Sequence, residues 1–266
     1  KSAYKKISKQ NKQITASINY ARVIQEAMLH RSKGLPPFLD DAFIYYKPRD
    51  LVSGDFYWYA KTNGKFILAA VDCTGHGVPG AFMSMIGNNL LNQIVLTEHE
   101  TDPANILTRM DEGVNETLNQ VNTGNEDGMD AAICVIDRQQ KQVAFAGAKR
   151  PLLYCQDDLL KRLKGDRQPI GGLKTRRGKQ KKEFTTQMIP IQDKICLYLY
   201  SDGITDQFGG PNYKKLMFKG FTEILHEVQH LPMNQQKKFI SERLEAWKNG
   251  YPQIDDILVL GAFIKA

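Results

Sequence analysis

The chain has 266 residues, of which 42% are hydrophobic and 24% are charged, as in ordinary globular proteins. This composition argues against a disordered chain. The length suits one large domain with an appendage and can bury a core without disulfide bonds. No run of about 18 apolar residues is present, so we predict no membrane contact by this segment. The chain begins Lys1-Ser2-Ala3 without a methionine, and we expect it to be a piece of a longer protein.

The 36 basic residues exceed the 29 acidic ones, which gives a net charge of +7. Much of the excess lies near the N-terminus and in a basic segment at residues 174–182. Charge runs are usually solvated, and no aromatic residues accompany the second cluster as single-strand binding would require. We therefore predict no nucleic-acid partner; an alternative is that segment 174–182 docks an acidic protein.

The four cysteines are scattered, and none forms a C-x-x-C pair, so no structural zinc knuckle is expected. Cys134 and Cys196 lie in apolar runs and are predicted to be buried thiols. Reduced thiols and the lack of a secretion signal predict a cytoplasmic location, with membrane anchoring through an upstream segment left open.

Residues 1–33 are predicted to form one helix, because Ile7, Ile14, Ala21 and Met28 recur every seven residues. Pro36-Pro37 ends it. A helix this polar is marginal alone in water, so it needs a partner. We predict a helical signalling linker over residues 1–35, which forms a homodimer and connects to an upstream sensor domain, followed by one domain over residues 36–266.

Beyond residue 37, strands are predicted to alternate with pairs of helices. This order favours antiparallel sheets covered by helices over a doubly wound parallel sheet. The predicted strands are 42–47, 65–71, 131–137, 142–146, 152–155, 194–200 and 257–264. The predicted helices are 79–96, 103–121, 213–230 and 234–248.

Four aspartates lie at strand ends beside glycines or turns: Asp55, Asp72, Asp202 and Asp255. Each alone is an ordinary turn former. Neighbouring strand ends converge, however, and carboxylate and carbonyl oxygens are the ligands that Mg²⁺ and Mn²⁺ prefer. The pattern therefore predicts a divalent metal site.

Five segments resemble, in order and spacing, the motifs of SpoIIE/RsbU-type bacterial Ser/Thr phosphatases in the PPM (PP2C-like) superfamily. They are RDLVSGDFYW at 49–58, AVDCTGHGVPGA at 70–81, GAKRPL at 147–152, LYSDGITD at 199–206 and DDI at 255–257. The resemblance covers roughly residues 38–264. It implies an α+β fold, a four-layer α-β-β-α sandwich of two antiparallel sheets.

The resemblance also implies a binuclear Mn²⁺ or Mg²⁺ centre. Asp72 would bridge both ions, and the backbone carbonyl of Cys73 would bind one of them. Asp202 and Asp255 would bind the other, and Asp55 would bind a metal or a metal-bound water. Water between two cations ionises near neutral pH and attacks the phosphorus of phosphoserine or phosphothreonine, so Cys73 is not needed as a nucleophile.

Three neighbours are expected to support these ligands: Gly54, Gly75 and Asp256. Gly54 stands where eukaryotic relatives carry a second acid, and Asp256 stands where they carry Asn. Two further residues are substrate-binding candidates. Arg49 matches a phosphate-binding Arg of eukaryotic relatives or is a surface residue, and His76 donates a proton to the leaving oxygen or caps a helix.

A competing metal motif is His226-Glu227-Val228-Gln229-His230, which matches the zinc-protease signature H-E-x-x-H. Pro232 would end its helix too soon for the usual context, and an amphipathic surface helix is the simpler interpretation. A zinc protease therefore remains only a remote alternative.

The leading hypothesis is a metal-dependent protein serine/threonine phosphatase, the output domain of a bacterial sensor. The resemblance implies as substrate a phosphorylated STAS-type anti-anti-sigma factor. The alternative is a catalytically silent module that binds a phosphoprotein or relays dimer state.

Overall fold

The computed structural model describes residues 2–29, 38–172, 175–176, 179–180 and 183–266. The end of the predicted linker helix, including Pro36-Pro37, lies outside the described residues. Most of the basic segment 174–182 does so as well.

Two antiparallel sheets form the centre of the domain. In chain order their strands are β1 Asp41–Lys47, β2 Phe56–Thr62, β3 Lys65–Cys73, β4 Gly128–Asp137, β5 Gln142–Ala148, β6 Leu152–Gln156, β7 Leu159–Leu163, β8 Gln187–Pro190, β9 Lys194–Tyr200 and β10 Ile257–Lys265. The first sheet has the order β1-β10-β9-β6-β7 and the second β8-β5-β4-β3-β2. The two-residue strand Ile170–Gly171 also pairs with β4.

Helices cover the outer face of each sheet. They are α1 Ser2–Leu29, α2 Gly77–Leu91, α3 Pro103–Thr117, α4 Met217–Val228 and α5 Met233–Lys248, with a π-helical continuation of α2 at Asn92–Thr97 and single turns at Gln120–Thr123 and Gly203–Asp206. Among the described residues, no helix combines the length and apolarity that crossing a bilayer requires.

Three buried apolar clusters separate four layers. Leu68, Phe145, Leu197 and Leu260 belong to the cluster between the two sheets. A second cluster joins α2 and α3 to the second sheet through residues such as Phe56, Ile106 and Ile133. A third joins α4 and α5 to the first sheet through Phe43, Phe221 and Ile240. The predicted four-layer sandwich of antiparallel sheets is confirmed.

The prediction missed strand β2, although the sequence carried a hairpin signal for it. Asn63 and Gly64 connect β2 to β3 with φ angles of +48° and +74°, as a tight two-residue hairpin turn requires. Helix α4 begins at Met217 rather than at 213, because Phe208–Gly209 and Lys214–Lys215 pair in a small hairpin. All four cysteines are free and buried, as predicted for Cys134 and Cys196.

Candidate metal centre

The candidate centre lies where the two sheets meet at one end. Asp72 is the penultimate residue of β3, and Asp202 follows β9 by two residues. Although they come from different sheets, the backbone N of Asp202 lies 3.4 Å from Oδ2 of Asp72. Asp255 lies two residues before the start of the last buried strand, β10. The fold therefore brings three of the predicted ligands to one end of the sandwich.

Arg150 occupies the middle of this acidic cluster. Its Nη2 lies 2.7 Å from Oδ2 of Asp202 and 3.1 Å from Oδ2 of both Asp72 and Asp130. Asp130 is the cross-strand partner of Asp72 in the β3–β4 ladder. Burial opposes the charged form of Arg150, but the carboxylates of Asp72 and Asp202 outweigh it and raise the pKa of the guanidinium.

The buried carboxylates hold their protons more tightly than usual. Burial raises the pKa of Asp72 to about 8, with Arg150 opposing the shift and Asp202 adding to it. Burial and the charge of Asp72 also raise the pKa of Asp55 well above its ordinary value. Oδ2 of Asp55 is buried without a hydrogen-bond partner. A bound cation would offset both the repulsion and this missing partner.

Asp256 supports the loop that carries Asp55. The Asp256 side chain is 2% exposed, and its two oxygens accept hydrogen bonds from the backbone N–H groups of Arg49 at 2.7 Å and Gly54 at 2.8 Å. Both oxygens of Asp256 thus accept hydrogen bonds from the Arg49 and Gly54 backbone, so Asp256 supports this loop rather than serving as a metal ligand. Burial raises the pKa of the neighbouring Asp255, with the Asp256 backbone N–H opposing the shift and Asp202 adding to it.

Glycines allow the backbone to close around the site. A Cβ atom on Gly54 would lie 2.6 Å from the Gly75 carbonyl oxygen and 3.4 Å from that of Cys73. A Cβ on Gly80 would lie 2.9 Å from Cα of Gly54. Gly75 has a φ of +81°, which glycine adopts without strain. The Cys73 carbonyl is therefore packed against the Gly54 turn.

A second close backbone approach joins the two late segments. A Cβ atom on Gly203 would lie 2.9 Å from the Asp256 carbonyl carbon and closer still to its oxygen. The turn after Asp202 is thereby pressed directly against the segment Asp255-Asp256. No side chain fits between them.

The two substrate-binding candidates lie on the rim. Arg49 Nη1 donates to the Ile254 carbonyl at 3.0 Å. His76 Nδ1 lies 3.0 Å from Oδ2 of Asp50, and its side chain does not cap α2. Both side chains are held beside the loops of the centre. The alternative that the His76 side chain caps the helix is wrong, and the substrate-binding roles of Arg49 and His76 stay predictions.

The residues fit a hard divalent cation by chemistry but are not arranged around one in this structure. Across the described ranges, no three His, Cys, Asp or Glu side chains are positioned to hold a metal ion. The carboxylate donors, the unpaired oxygen of Asp55 and the glycine-lined turn suit Mg²⁺ or Mn²⁺. Arg150 supplies the positive charge between Asp72, Asp130 and Asp202.

The sequence interpretation missed Asp130 and Arg150. The signal for Asp130 was an acid inside the apolar strand MDAAICVI, since a buried charge needs a partner. Arg150 lies in the segment GAKRPL, which the resemblance assigned only to a hairpin.

The H-E-x-x-H motif does not form a metal site. Helix α4 ends at Val228, so His226 and His230 do not share a continuous helix face. Both carboxylate oxygens of Glu227 accept hydrogen bonds from Arg243 Nη2, at 2.5 and 2.8 Å. The zinc-protease alternative therefore has no support in the structure.

Two stacked antiparallel sheets, outer helices and acids at one end define a PP2C-like phosphatase domain. The family model described as Stage II sporulation protein E (SpoIIE) matches residues 62–264, and the chain belongs to the SpoIIE family, as the SpoIIE/RsbU resemblance predicted. No curated protein matches the chain.

Three solved structures show the same fold. The SiaA-PP2C domain of Pseudomonas aeruginosa is 32% identical, with a TM-score of 0.85 over 95% of this chain and 98% of that one. The RsbU and RsbW domains of Rv1364c from Mycobacterium tuberculosis are 16% identical, with a TM-score of 0.63 over 85% of this chain and 60% of that one. RsbX in complex with magnesium is 14% identical, with a TM-score of 0.55 over 84% and 94%.

Proposed function

We propose that this chain is a metal-dependent protein serine/threonine phosphatase. The observation that carries the proposal is the convergence of aspartates at the strand ends of a SpoIIE-family domain, where the pKa values of the buried Asp55 and the partly buried Asp72 are raised. The magnesium in the RsbX structure supports a divalent cation as cofactor for this fold.

In the proposed mechanism, Asp72, Asp202, Asp255 and the Cys73 carbonyl would hold two Mn²⁺ or Mg²⁺ ions, and Asp55 would hold an ion or its water. When bound, such ions would lower the pKa of water and offset the phosphoryl charge. Asp256 keeps the Asp55 loop in place through the Gly54 N–H. Arg150 must leave Asp72 and Asp202 for these carboxylates to bind ions, and Asp130 is placed to retain its guanidinium.

The proposed substrate is a phosphorylated regulatory protein of the STAS type. The solved relative that contains both RsbU and RsbW domains supports a partner-switching role for this fold. In this role the chain removes a phosphate from the regulator and thereby changes which protein the regulator binds.

We assign α1 to a dimerising linker between an upstream sensor and the catalytic domain. Only its C-terminal end packs on the domain, where Gln25 and Leu29 are buried. Six of its large apolar side chains are exposed: Tyr4, Ile7, Ile14, Tyr20, Val23 and Ile24. Ile7 and Ile14 lie seven residues apart on one side of the helix, and a second copy of the helix would cover that side.

Turnover of a phosphoserine peptide tests the function. We expect hydrolysis that requires Mn²⁺ or Mg²⁺ and that is abolished by a chelator and by Asp72→Ala. Hydrolysis that survives both treatments would refute the metal mechanism.

The silent relay module is the second candidate, and the guanidinium of Arg150 among three carboxylates is the observation that favours it. It predicts phosphopeptide binding without turnover at any Mn²⁺ concentration. A calorimetric titration of Mn²⁺ separates the two functions, because the silent module would take up no ion at this site.

A further inference from the structure

A group of three aromatic side chains, Phe208, Tyr213 and Tyr251, lies on chain segments that adjoin Asp202 and Asp255 in the sequence; we call it the aromatic platform. Its ring centroids are 4.9 Å apart for Phe208–Tyr213 and 4.7 Å apart for Tyr213–Tyr251. Tyr213 is 52% exposed and Tyr251 is 39% exposed. Contact among the rings leaves a continuous aromatic surface open to solvent.

The platform stands on a rigid base. Gln207 is fully buried, and its Nε2 donates to the carbonyls of Phe208 at 2.9 Å and Pro252 at 3.0 Å, which ties the two aromatic segments together. Trp247 Nε1 donates to the Gln207 carbonyl at 3.0 Å. Tyr213 has a φ of +48°, a conformation that costs energy in a non-glycine residue. The fold therefore holds an exposed tyrosine in a fixed position.

The residues of the platform are close in sequence to two of the candidate metal ligands, Asp202 and Asp255. Tyr251 precedes Asp255 by four residues, which span at most about 14 Å. Phe208 follows Asp202 by six residues, and most of these form the helical turn Gly203–Asp206. A protein that places a phosphorylated residue at the centre must therefore also lie near the aromatic platform.

Two lysines lie on the hairpin that carries Phe208 and Tyr213. Lys214 is exposed, and Lys215 Nζ lies 5.9 Å from the Phe208 ring centroid while it pairs with Asp206 at 2.7 Å. Tyrosines supply contact area at interfaces with little loss of side-chain entropy, and lysines favour acidic partners. This chemistry suits a peptide segment that carries an apolar side chain and an acidic one.

We propose that the aromatic platform docks the segment of the phosphoprotein substrate that flanks the phosphorylated residue. It selects an apolar residue and an acidic residue about four positions from the phosphoserine or phosphothreonine. This inference rests on the proposed function and adds to it the determinant of substrate choice.

Two phosphoserine peptides of equal length test the proposal. One carries Leu and Glu four residues from the phosphoserine on each side, and the other carries Gly and Ser there. We expect kcat/KM of the native chain with Mn²⁺ to be at least fivefold higher for the first peptide. Tyr213→Ser should bring the ratio below twofold, and Tyr213→Phe should retain it. Leu159→Ser, at a 59% exposed position on β7, is the matched control and should also retain it.

A binding measurement makes the test independent of turnover. Fluorescence anisotropy with the same two sequences, carrying a non-hydrolysable phosphonate, should show the same preference and its loss in Tyr213→Ser. If Tyr213→Ser is unfolded by circular dichroism, Lys214→Glu takes its place and should weaken binding of the acidic peptide. Equal kcat/KM for both peptides, or an unchanged ratio in the variants, would overturn the docking proposal. Absence of p-nitrophenyl phosphate hydrolysis would instead refute the proposed function.

Discussion

Arg150 sets the charge balance of the candidate centre. Its side chain is 13% exposed and contacts three carboxylates that would otherwise repel one another. Without a metal its guanidinium offsets the charges of Asp72 and Asp202, and Lys149 also pairs with Asp130 at 3.2 Å. A divalent ion would compete with Arg150 for Asp72 and Asp202. The stability of the domain and its affinity for metal are therefore coupled through one residue.

Arg150→Ala should destabilise the metal-free chain by about 1–3 kcal/mol, because the partly buried carboxylates of Asp72 and Asp202 lose their cationic partner. The same variant should bind Mn²⁺ at least tenfold more tightly, because the competing cation is gone. Thermal unfolding with and without Mn²⁺ measures the first effect, and calorimetric titration the second. Arg109→Ala removes an ion pair with Glu98 elsewhere and is the control. Weaker Mn²⁺ binding in Arg150→Ala would contradict competition.

The sequence allowed individual site residues to be predicted where an aspartate follows an apolar run and precedes a turn. Asp72 and Asp202 stand beside glycines at strand ends, and the structure brings them together. Asp130 and Arg150 escaped prediction, because only the cross-strand register and the fold of a distant hairpin place them beside Asp72.

Helix α1 is joined to the candidate centre by one side chain. Gln25 Nε2 donates to the Ser53 carbonyl at 2.7 Å and to Ser84 Oγ at 2.9 Å, and Gln25 Oε1 accepts from the Ser53 N–H at 3.1 Å. Ser53 lies two residues before Asp55, and Ser84 lies on α2. A displacement of α1 therefore reaches the loop that carries Asp55 directly.

Gln25→Ala should lower the free energy of unfolding by about 1–3 kcal/mol, because the buried Ser53 backbone groups lose their partners. It should also weaken Mn²⁺ binding, because the Asp55 loop is no longer held. Urea unfolding and calorimetric titration check the two effects. Gln13→Ala, at an exposed position on the same helix, should change neither. If Gln25→Ala bound Mn²⁺ as tightly as the native chain does, the inference that α1 influences the metal site would be wrong.

At the level of elements, the sequence predicted strands that form the centres of the sheets, such as β9 and β10, because long apolar runs have few alternative structures. It missed the exposed edge strand β7, whose sequence LLKRL has no clear alternation. It also missed β8, which owes its conformation to pairing with β5. Edge strands depend on contacts that local sequence does not contain.

Across the whole molecule, Asp40 joins distant segments. Its Oδ2 accepts from Arg138 Nη2 at 2.7 Å, after β4, and from the Lys265 N–H at 2.9 Å, at the end of β10. Burial acts to raise the pKa of Asp40, but the Lys265 N–H and Arg138 outweigh it and hold the pKa below its ordinary value. The stabilisation is therefore present at neutral pH and is lost as the pH falls through the lowered pKa.

Asp40→Asn should cost about 1 kcal/mol of stability at pH 7 and close to nothing near pH 2, where the native carboxyl is protonated as well. Urea unfolding at the two pH values measures the difference. Asp158→Asn, on an exposed turn, should be neutral at both. An equal loss at pH 7 and pH 2 would rule out the ionised carboxylate as the cause.

The proposed dimer depends on apolar side chains near the N-terminal end of α1. Replacing Ile7 and Ile14 by Glu should convert a dimer into a monomer, because both are more than half exposed on the part of α1 that does not pack on the domain. Sedimentation velocity measures the change, with Lys9→Glu on the same helix as control. A monomeric native chain would refute the dimerising role of α1.

The backbone contact at Gly203 has a consequence for how variants of this protein are interpreted. Any side chain at that position would clash with the Asp256 backbone, and we expect it to push the turn after Asp202 away from the segment that carries Asp255, although Gly203 itself offers no ligand atom from a side chain. A genetic screen scored by lost activity would thus rank Gly203→Ala beside Asp202→Ala. The position of Asp202 relative to the segment that carries Asp255 therefore depends on a residue without a Cβ atom as well as on the acids themselves.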